Sequence, residues 1–272
     1  MGETKIGWAT DVWNPVTGCS KVSPGCARCY AETLSLRYGW SKRPWLPEFA
    51  AENVVLHPER MDQPLRWRKP RRIFVNSMSD LFHEQIPGIF IAQAFQIMRE
   101  AYWHQFQVLT KRPERMREFM QERQRLDVEY ARKFDDCPTE AMRNSPAAKM
   151  ARRWAEDGAP YGPNVWLGVS IENDRWVGRA DVLRETPAAH RFISAEPLLG
   201  PLPSLDLTGI DWLIIGGESG PGYRPMDLRW VDDLVLKADA AGVPVYMKQD
   251  SGLRPGRQGR LPDDLWARKE EP

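Results

Sequence analysis

The sequence lacks the features that mark several large classes of protein. No apolar run approaches the length of a transmembrane helix, and the first residues have no apolar core of the kind found in secretory signals. The N-terminal myristoylation pattern fails because Ile6 stands where that pattern needs Ser or Thr. Neither sign of charge dominates, since 38 Lys and Arg residues face 37 Asp and Glu residues. We therefore expect a soluble, cytoplasmic protein with no membrane partner and no global attraction to nucleic acid.

Cysteine is scarce, and its distribution is uneven. The chain has four cysteines, of which Cys19, Cys26 and Cys29 lie close together while Cys137 is distant. In a reducing compartment such a cluster indicates metal binding or redox chemistry rather than a disulfide. A structural zinc site normally has four protein ligands, whereas three thiolates leave one coordination position open for chemistry. The alternative for the three clustered cysteines is a zinc site completed by a histidine, a carboxylate or Cys137. If Cys137 is not a ligand, we expect it to be a buried free thiol.

Seven short apolar runs, rich in β-branched and aromatic residues, predict buried parallel strands. They are Val12–Val16, Arg72–Asn76, Phe106–Thr110, Val165–Ile171, Arg191–Ala195, Trp212–Ile215 and Val243–Met247. Helical periodicity between them predicts helices at Ala27–Tyr38, Ile89–Tyr102, Arg112–Arg125, Arg175–Leu183 and Leu228–Ala240. Strands that alternate with helices predict βαβ units and an α/β fold.

The α/β pattern allows an open doubly wound sheet or a full or partial parallel (β/α) barrel. A Gly-x-Gly-x-x-Gly dinucleotide fingerprint is absent after the early strands, which favours the barrel. We expect one domain over residues 1–250, with an insertion at about 126–163 where no strand is predicted. Residues 251–272 are rich in Gly, Pro and Arg and predict a partly ordered tail.

In parallel α/β folds the functional groups follow the carboxyl ends of the strands. Each predicted strand of this chain is followed by polar residues. In chain order they are the cysteine loop, Asn76 to Asp80, Thr110 to Arg112, Ser170 and Glu172, Ser194 and Glu196, Gly216 to Gly220, and Lys248 to Asp250.

The three-cysteine loop after the first strand resembles that of the radical S-adenosylmethionine superfamily, whose cysteines bind three irons of a [4Fe–4S] cluster. In that superfamily S-adenosylmethionine chelates the fourth iron, and a one-electron reductant such as flavodoxin or ferredoxin initiates its cleavage to a radical that abstracts hydrogen. Four further segments are similar to a phage and bacterial family distantly related to spore photoproduct lyase. These are Trp13–Cys19, Leu109–Pro113, Ile193–Leu198 and Gly216–Gly220. The resemblance covers nearly the whole chain and implies a barrel of the radical S-adenosylmethionine type.

The cysteine spacing departs from the superfamily pattern. Six residues instead of three separate Cys19 from Cys26, although Pro24 and Gly25 favour a turn that brings the thiols together. The Gly-Gly-Glu that holds the cofactor's amino group follows the second strand in the superfamily, whereas here Gly-Gly-Glu follows the sixth predicted strand. The resemblance therefore assigns that role to the loop after the second strand.

The resemblance implies a set of cofactor contacts, and the residues alone leave structural alternatives open. The expected cofactor-binding residues are Ser77, Ser79, Lys111, Ser170, Glu172, Glu196, Gly216 and Gly217. The alternative for Glu172, Glu196 and Glu218 is a set of structural ion pairs with Lys111, Arg112 or Lys248. A solvated position at the rim is the alternative for the lysines.

The resemblance to a lyase acting on thymine dimers implies a nucleobase or modified nucleotide, in DNA or free, as the substrate. Expected substrate contacts are Glu218, Lys248, Arg68 and Arg71, of which the last two lie in the basic segment Arg66–Arg72. A solvated start of the second strand is the alternative for that segment.

Two other functions remain open at this point. A zinc-stabilised nucleic-acid-binding module would use the cysteine loop structurally, and a barrel hydrolase would use two of the three glutamates as acid and base.

Overall fold

The structure is a computed structural model that describes residues 4, 6–146, 148, 149, 152, 156 and 160–272. Seven parallel strands form one sheet that curls into a half-barrel, and helices cover its outer face. This is the α/β architecture that the alternating strand and helix patterns predict.

The strands in chain order are β1 (Asp11–Trp13), β2 (Val16–Thr17), β3 (Val55–Leu56), β4 (Arg72–Val75), β5 (Gln105–Thr110), β6 (Val165–Ser170), β7 (His190–Ala195), β8 (Trp212–Gly216) and β9 (Val245–Gln249). The main sheet has the order β1-β4-β5-β6-β7-β8-β9, so each of its strands pairs with the next one along the chain. Strands β2 and β3 form a small separate antiparallel sheet.

The helices are α1 (Tyr30–Arg37), α2 (Ala50–Asn53), α3 (Gly88–Glu100), α4 (Pro113–Asp135), α5 (Glu140–Arg143), α6 (Gly178–Arg184), α7 (Leu228–Ala241) and α8 (Asp263–Trp266). Local chemistry sets the ends of α7: the Asp227 side chain accepts a hydrogen bond from the backbone of Arg229, and Gly242 takes the left-handed conformation at the C-terminus. The helix predicted to begin at Arg175 begins at Gly178, because Asp174–Trp176 forms a separate 3₁₀ turn.

The two faces of the sheet carry different side chains because successive residues of a strand point to opposite sides. Outward apolar side chains form the main core with the helices. Inward aromatic side chains form a second cluster, whose members include Trp8, Phe74, Phe192 and Trp212. The rings of Trp8 and Phe74 lie 4.7 Å apart. This cluster lies on the inner face of the sheet and includes Trp212, the first residue of β8.

The first predicted strand, Val12–Val16, is divided in the structure. Only β1 joins the main sheet, where Trp13 pairs with Val75. Val16 instead pairs with Leu56 in the small antiparallel sheet. The prediction of one continuous strand was wrong because the apolar run feeds two sheets, with Asn14 and Pro15 between them.

The predicted insertion at 126–163 begins as a continuation of α4, which does not end at Arg125 but runs to Asp135. An ion pair between Arg123 and the buried Asp127 supports this extension. At the far end of the insertion, Tyr161 stacks on Phe119 of α4. The described part of the insertion therefore belongs to the outer helical layer.

Residues 251–272, predicted as a partly ordered tail, run back against the sheet. Leu261 and Leu265 are buried in the main core. The backbone N–H of Met247 donates to the carbonyl of Arg268 at 2.8 Å, which places the end of the chain along the outer edge of β9. The Gly and Pro residues of this segment lie between these anchored positions.

No helix in the described part of the chain is long and apolar enough to cross a membrane.

Candidate functional site

Polar side chains surround a cavity of about 230 Å³ at the carboxyl ends of the strands, above the inner aromatic cluster. Ser170 on β6 and Lys248 on β9 reach it because they share the inward face with that cluster. The predicted site residues that line the cavity are Cys19, Cys26, Cys29, Ser77, Ser79, Lys111, Ser170, Glu196, Gly217, Glu218 and Lys248. Residues far apart in the sequence therefore meet at one place.

A groove of about 930 Å³ adjoins this cavity. The cavity and the groove share Arg28, Tyr30, Glu196 and Lys248 among their lining residues. The groove also contacts Val12 of β1, so it follows the side of the half-barrel where β1 and β9 stay apart.

The cysteine loop (residues 18–29) is held over the mouth of the half-barrel by residues from other strands. The Ser23 hydroxyl donates to the carboxylate of Glu172, which follows β6. Arg224, in the segment after β8, donates through Nη2 to the carbonyl of Pro24 at 3.0 Å. These anchors place the loop against the cavity from above.

Cys19 lies beside a buried ion pair. Nη1 of Arg112 is 3.6 Å from Sγ of Cys19 and 3.2 Å from Oδ2 of Asp80. Nη2 of the same arginine donates to the carbonyl of Ser20 at 3.2 Å. Withdrawal from water, reinforced by the negative charge of Asp80, raises the pKa of the Cys19 thiol to about 12, and Arg112 opposes that rise. Arg112 is thus the side chain placed to stabilise a thiolate at Cys19.

Cys29 is the N-cap residue of α1, and Cys26 lies one turn before it. Withdrawal from water raises the pKa of the Cys29 thiol, although the nearby backbone N–H groups of Glu32 and Ala31 act in the opposite direction. Sγ of Cys26 is 3.9 Å from the hydroxyl of Ser23. A helix N-terminus favours a thiolate over a thiol, so the position of Cys29 at the start of α1 favours its thiolate form.

The geometry of a preassembled metal site is not found in the described ranges of the chain. Within them, no three His, Cys, Asp or Glu side chains form a group that would hold a metal ion. The three thiols share one loop and one cavity without converging on one point.

The two predicted serines after β4 have partners within the protein. The Ser77 hydroxyl is within hydrogen-bond distance of both atoms of the Asn14 amide, at 3.2 and 3.3 Å. The Ser79 hydroxyl donates to the carbonyl of Val16 at 3.1 Å. The hydroxyl of Tyr30 donates to the carbonyl of Ser77 at 2.6 Å. Both serines line the cavity and also tie the loop after β4 to the N-terminal strands.

Ser170 and Ser194 are register partners on the adjacent strands β6 and β7. Both side chains are buried and line the cavity. Their hydroxyls therefore lie side by side on the cavity wall.

Glu172 was predicted to contact the cofactor, and the structure places it elsewhere. Its side chain is 0% exposed and lies outside the lining of the cavity. Its carboxylate is 3.1 Å from Nη1 of Arg179 and 3.6 Å from Nζ of Lys111, and it accepts the hydrogen bond from Ser23. A buried carboxylate is stable only with such partners. In this structure Glu172 therefore forms structural ion pairs, which was the alternative to a contact with the cofactor.

The other two glutamates line the cavity and also have basic partners. Glu196 forms an ion pair with Lys248. Glu218 accepts hydrogen bonds from the backbone N–H of Arg224 at 2.8 Å and from its Nε at 3.0 Å, and Arg28 lies 3.8 Å away. Burial opposes ionisation of Glu218, but the hydrogen bonds from Arg224 outweigh it and lower the pKa of the carboxyl.

Of the two predicted glycines, Gly217 serves close packing between the loops after β8 and β9. The backbone N–H of Gly217 donates to the carbonyl of Gln249 at 3.0 Å, and a Cβ at position 217 would lie 2.8 Å from the carbonyl carbon of Asp250. Gly216 lies outside the cavity lining, and a Cβ there would make ordinary contact with Glu196 at 3.4 Å.

The basic segment Arg66–Arg72 lies at the wrong end of the sheet for the predicted substrate contacts. It leads into β4, whose first residue is Arg72, whereas the cavity lies at the carboxyl ends of the strands. Arg71 forms an ion pair with Asp11 and lies 4.7 Å over the Trp67 ring, while Arg68 is exposed. Neither arginine lines the cavity, because parallel strands place their amino ends together at the opposite edge.

The comparison with known families identifies the chain at the level of its family. Residues 3–263 match a family described as a protein of unknown function, DUF5131. The chain belongs to this DUF5131 family. No curated protein matches it, and no solved structure matches it.

In this DUF5131 protein the site includes two residues, Arg112 and His83, that were not among the predicted site residues. Arg112 was considered only as an ion-pair partner, yet it contacts Cys19 directly. His83 is buried, with Nε2 2.8 Å from the hydroxyl of Ser20. Withdrawal from water and the charge of Arg112 lower the pKa of His83 to about 4. Their position in the sequence could have indicated a place at the site, since Asp80 and Arg112 both follow predicted strands within a few residues.

Proposed function

We propose that this protein is a radical S-adenosylmethionine enzyme in which Cys19, Cys26 and Cys29 hold a [4Fe–4S] cluster and S-adenosylmethionine occupies the adjoining cavity. One observation carries the proposal: three thiols on one loop open onto the same cavity as the inward polar side chains at the carboxyl edge of a parallel half-barrel. Three thiolates leave one iron of a cubane cluster for a further ligand.

The donor set fits such a cluster, and the loop must close to bind it. The three cysteines are the soft ligands of the cysteine loop, and thiolates are the usual protein ligands of iron–sulfur clusters. Because no group for a metal ion is preassembled among the described residues, cluster binding has to draw the three thiols together. Ser23 and Pro24 anchor the middle of the loop through Glu172 and Arg224, so closure involves the segments on either side.

When bound, and with one electron from a reductant such as flavodoxin or ferredoxin, the cluster would supply reductive cleavage of the sulfonium of S-adenosylmethionine to a radical that abstracts a hydrogen atom from the substrate. The chain's own residues bind S-adenosylmethionine and orient it. Lys111 lines the cavity and provides a fixed positive charge for a carboxylate, and Ser170 and Ser194 present hydroxyls for hydrogen bonds. Arg112 offsets the negative charge of the thiolate at Cys19.

The cavity floor excludes water from these groups. Trp8, Phe74 and Leu109 line it with apolar surface, and the first two belong to the buried inner cluster. An apolar wall strengthens the electrostatic contacts above it and protects reactive species from solvent.

The adjoining groove provides space for a substrate next to the cofactor. We propose a nucleobase or modified nucleotide there, because the groove combines the aromatic side chains of Tyr30 and Tyr246 with the positive charges of Arg28 and Lys248. The basic segment before β4 has no part in this arrangement.

A hydrolase that uses two glutamates as acid and base fits the geometry less well. Each of the three carboxylates has its own basic partner: Arg179 for Glu172, Lys248 for Glu196 and Arg224 for Glu218. A general acid at neutral pH needs a raised pKa, whereas the pKa of Glu218 is lowered.

The test is anaerobic reconstitution of the full chain with iron and sulfide, followed by metal and sulfide analysis and visible spectroscopy. We expect a brown protein with about four irons per chain, as in a cubane cluster. Replacing Cys19, Cys26 or Cys29 with alanine abolishes iron binding. Cys137→Ala is the matched control and retains it, because Cys137 lies outside the cavity and its thiol donates to the carbonyl of Lys133.

Stoichiometric zinc with no iron uptake under these conditions would contradict the proposal. It would favour the zinc-stabilised module instead.

A further inference from the structure

The side chain of Asn76 is buried on the wall of the cavity without a hydrogen-bond partner. It is 3% exposed, and neither Nδ2 nor Oδ1 has a partner among the described residues. Asn76 follows β4 and is one of the residues that line the cavity. A buried amide normally satisfies both its donor and its acceptor, so this residue needs an explanation.

The backbone of Asn76 is also unusual. Its φ angle is +59°, and it is the only non-glycine residue in the described ranges with a positive φ. Asparagine tolerates this conformation better than most residues, and in turns its side chain often bonds to nearby backbone. Here the side chain makes no such bond. The turn explains the backbone angle and leaves the orientation of the amide unexplained.

A second unpaired group lies on the same cavity. The indole Nε1 of Trp8 is buried without a partner, and Trp8 also lines the cavity. Together Asn76 and Trp8 offer three N–H donors, two on Nδ2 and one on Nε1, and one acceptor oxygen, all uncharged. Phe74 and Leu109 add flat and apolar surface beside them. The cavity also has charged side chains, among them Lys111, Glu196 and Lys248.

We propose that this part of the cavity binds the adenine of an adenine nucleoside, with the Asn76 amide reading the edge of the base. Adenine presents a neighbouring donor and acceptor, N6 and N7, and an asparagine amide is their hydrogen-bonding complement. The Trp8 N–H is then available to a further ring nitrogen. The apolar surface of Trp8 and Phe74 suits a planar heterocycle. Ser170 and Ser194 lie on the same cavity for the ribose hydroxyls. The inference deepens the proposed function, on which it rests for the identity of the nucleoside as part of S-adenosylmethionine.

The test measures adenosine binding by calorimetry, using the full chain before any iron is added. Wild-type protein binds adenosine, and it binds purine riboside, which lacks the 6-amino group, at least tenfold more weakly. Asn76→Gly removes the amide and keeps the backbone angle accessible. It lowers adenosine affinity at least tenfold and removes the preference over purine riboside, while its melting temperature stays the same or rises. Asn144→Gly, at an exposed position outside the cavity, leaves adenosine binding unchanged.

Equal adenosine affinities for wild type and Asn76→Gly would overturn the inference, and so would the absence of adenosine binding by the wild type. Either result leaves the proposed cluster standing if the reconstituted protein holds iron. Adenosine binding that depends on Asn76, in a chain that takes up no iron, would support the nucleoside site and remove the proposed function.

Discussion

The carboxylate of Glu172 fills the space that a side chain at position 25 would need. A Cβ built on Gly25 would lie 2.6 Å from Cγ and 2.9 Å from Cδ of Glu172. Ser23, Arg179 and Lys111 hold that carboxylate in place. The cysteine loop and the end of β6 therefore fit together only if position 25 is glycine.

Gly25→Ala is expected to lift the cysteine loop from its support, because the new methyl group overlaps a side chain that cannot move freely. We expect a loss of about 1–3 kcal/mol in the free energy of unfolding and lower iron content after reconstitution. Urea unfolding and iron analysis measure the two effects. The control is Gly178→Ala, since a Cβ there meets nothing within 4 Å. Wild-type iron content in Gly25→Ala would show that the loop does not depend on this fit.

Arg112→Gln is expected to destabilise the protein by about 3–5 kcal/mol, because it leaves the carboxylate of Asp80 buried without its ion-pair partner. Asp80→Asn removes that charge, so the double variant loses less stability than the sum of the two single variants. Denaturant unfolding of the four proteins measures the coupling. Additive losses would mean that the two side chains act independently.

The stability of the protein is expected to fall as the pH drops from about 6.5 to about 4. The unfolded chain takes up a proton at His83 near its ordinary pKa, whereas the folded chain does not until about pH 4, so protonation favours unfolding in this window. His83→Gln removes this dependence, and His190→Gln, at a half-buried position in β7, is the control. Unfolding midpoints in urea across a pH series provide the measurement. A pH profile in His83→Gln that matches the wild type would assign the effect to other groups.

The basic segment before β4 is expected to have no effect on ligand binding in the cavity. Arg68→Gln combined with Lys69→Gln should leave the affinity of the reconstituted protein for S-adenosylmethionine unchanged. Lys111→Gln should weaken that affinity about tenfold, because it removes a positive charge from the cavity wall. Equilibrium binding of S-adenosylmethionine at constant ionic strength compares the double variant and Lys111→Gln with the wild type. A loss of affinity in the double variant would restore the segment as part of the site.

The sequence predicted the sheet well because parallel strands buried on both faces are continuous apolar runs. All seven predicted runs overlap strands of the main sheet, and the ends of α7 agree within a residue. The same reasoning placed most polar residues after the strands on one cavity. It failed at Val16, because a local apolar pattern does not show which sheet a residue joins.

The partners of the polar side chains were harder to predict than their positions. Glu172 and Glu196 each follow a strand, so the sequence predicts both at the same edge of the sheet. Only the three-dimensional contacts show that Glu172 pairs with Arg179 outside the cavity lining. The unpaired amide of Asn76 likewise could not be predicted, because no sequence pattern indicates that a buried side chain has no hydrogen-bond partner.

The final residues of the chain cover an edge of the main sheet. Glu270 donates its backbone N–H to the carbonyl of Val245, and Met247 donates to the carbonyl of Arg268, so these backbone groups of β9 are not open to another strand. An uncovered edge of this kind recruits strands from other molecules and promotes aggregation. Residues 268–270 therefore shield this edge, and their removal is expected to leave these backbone groups of β9 open to pairing with a strand of another molecule.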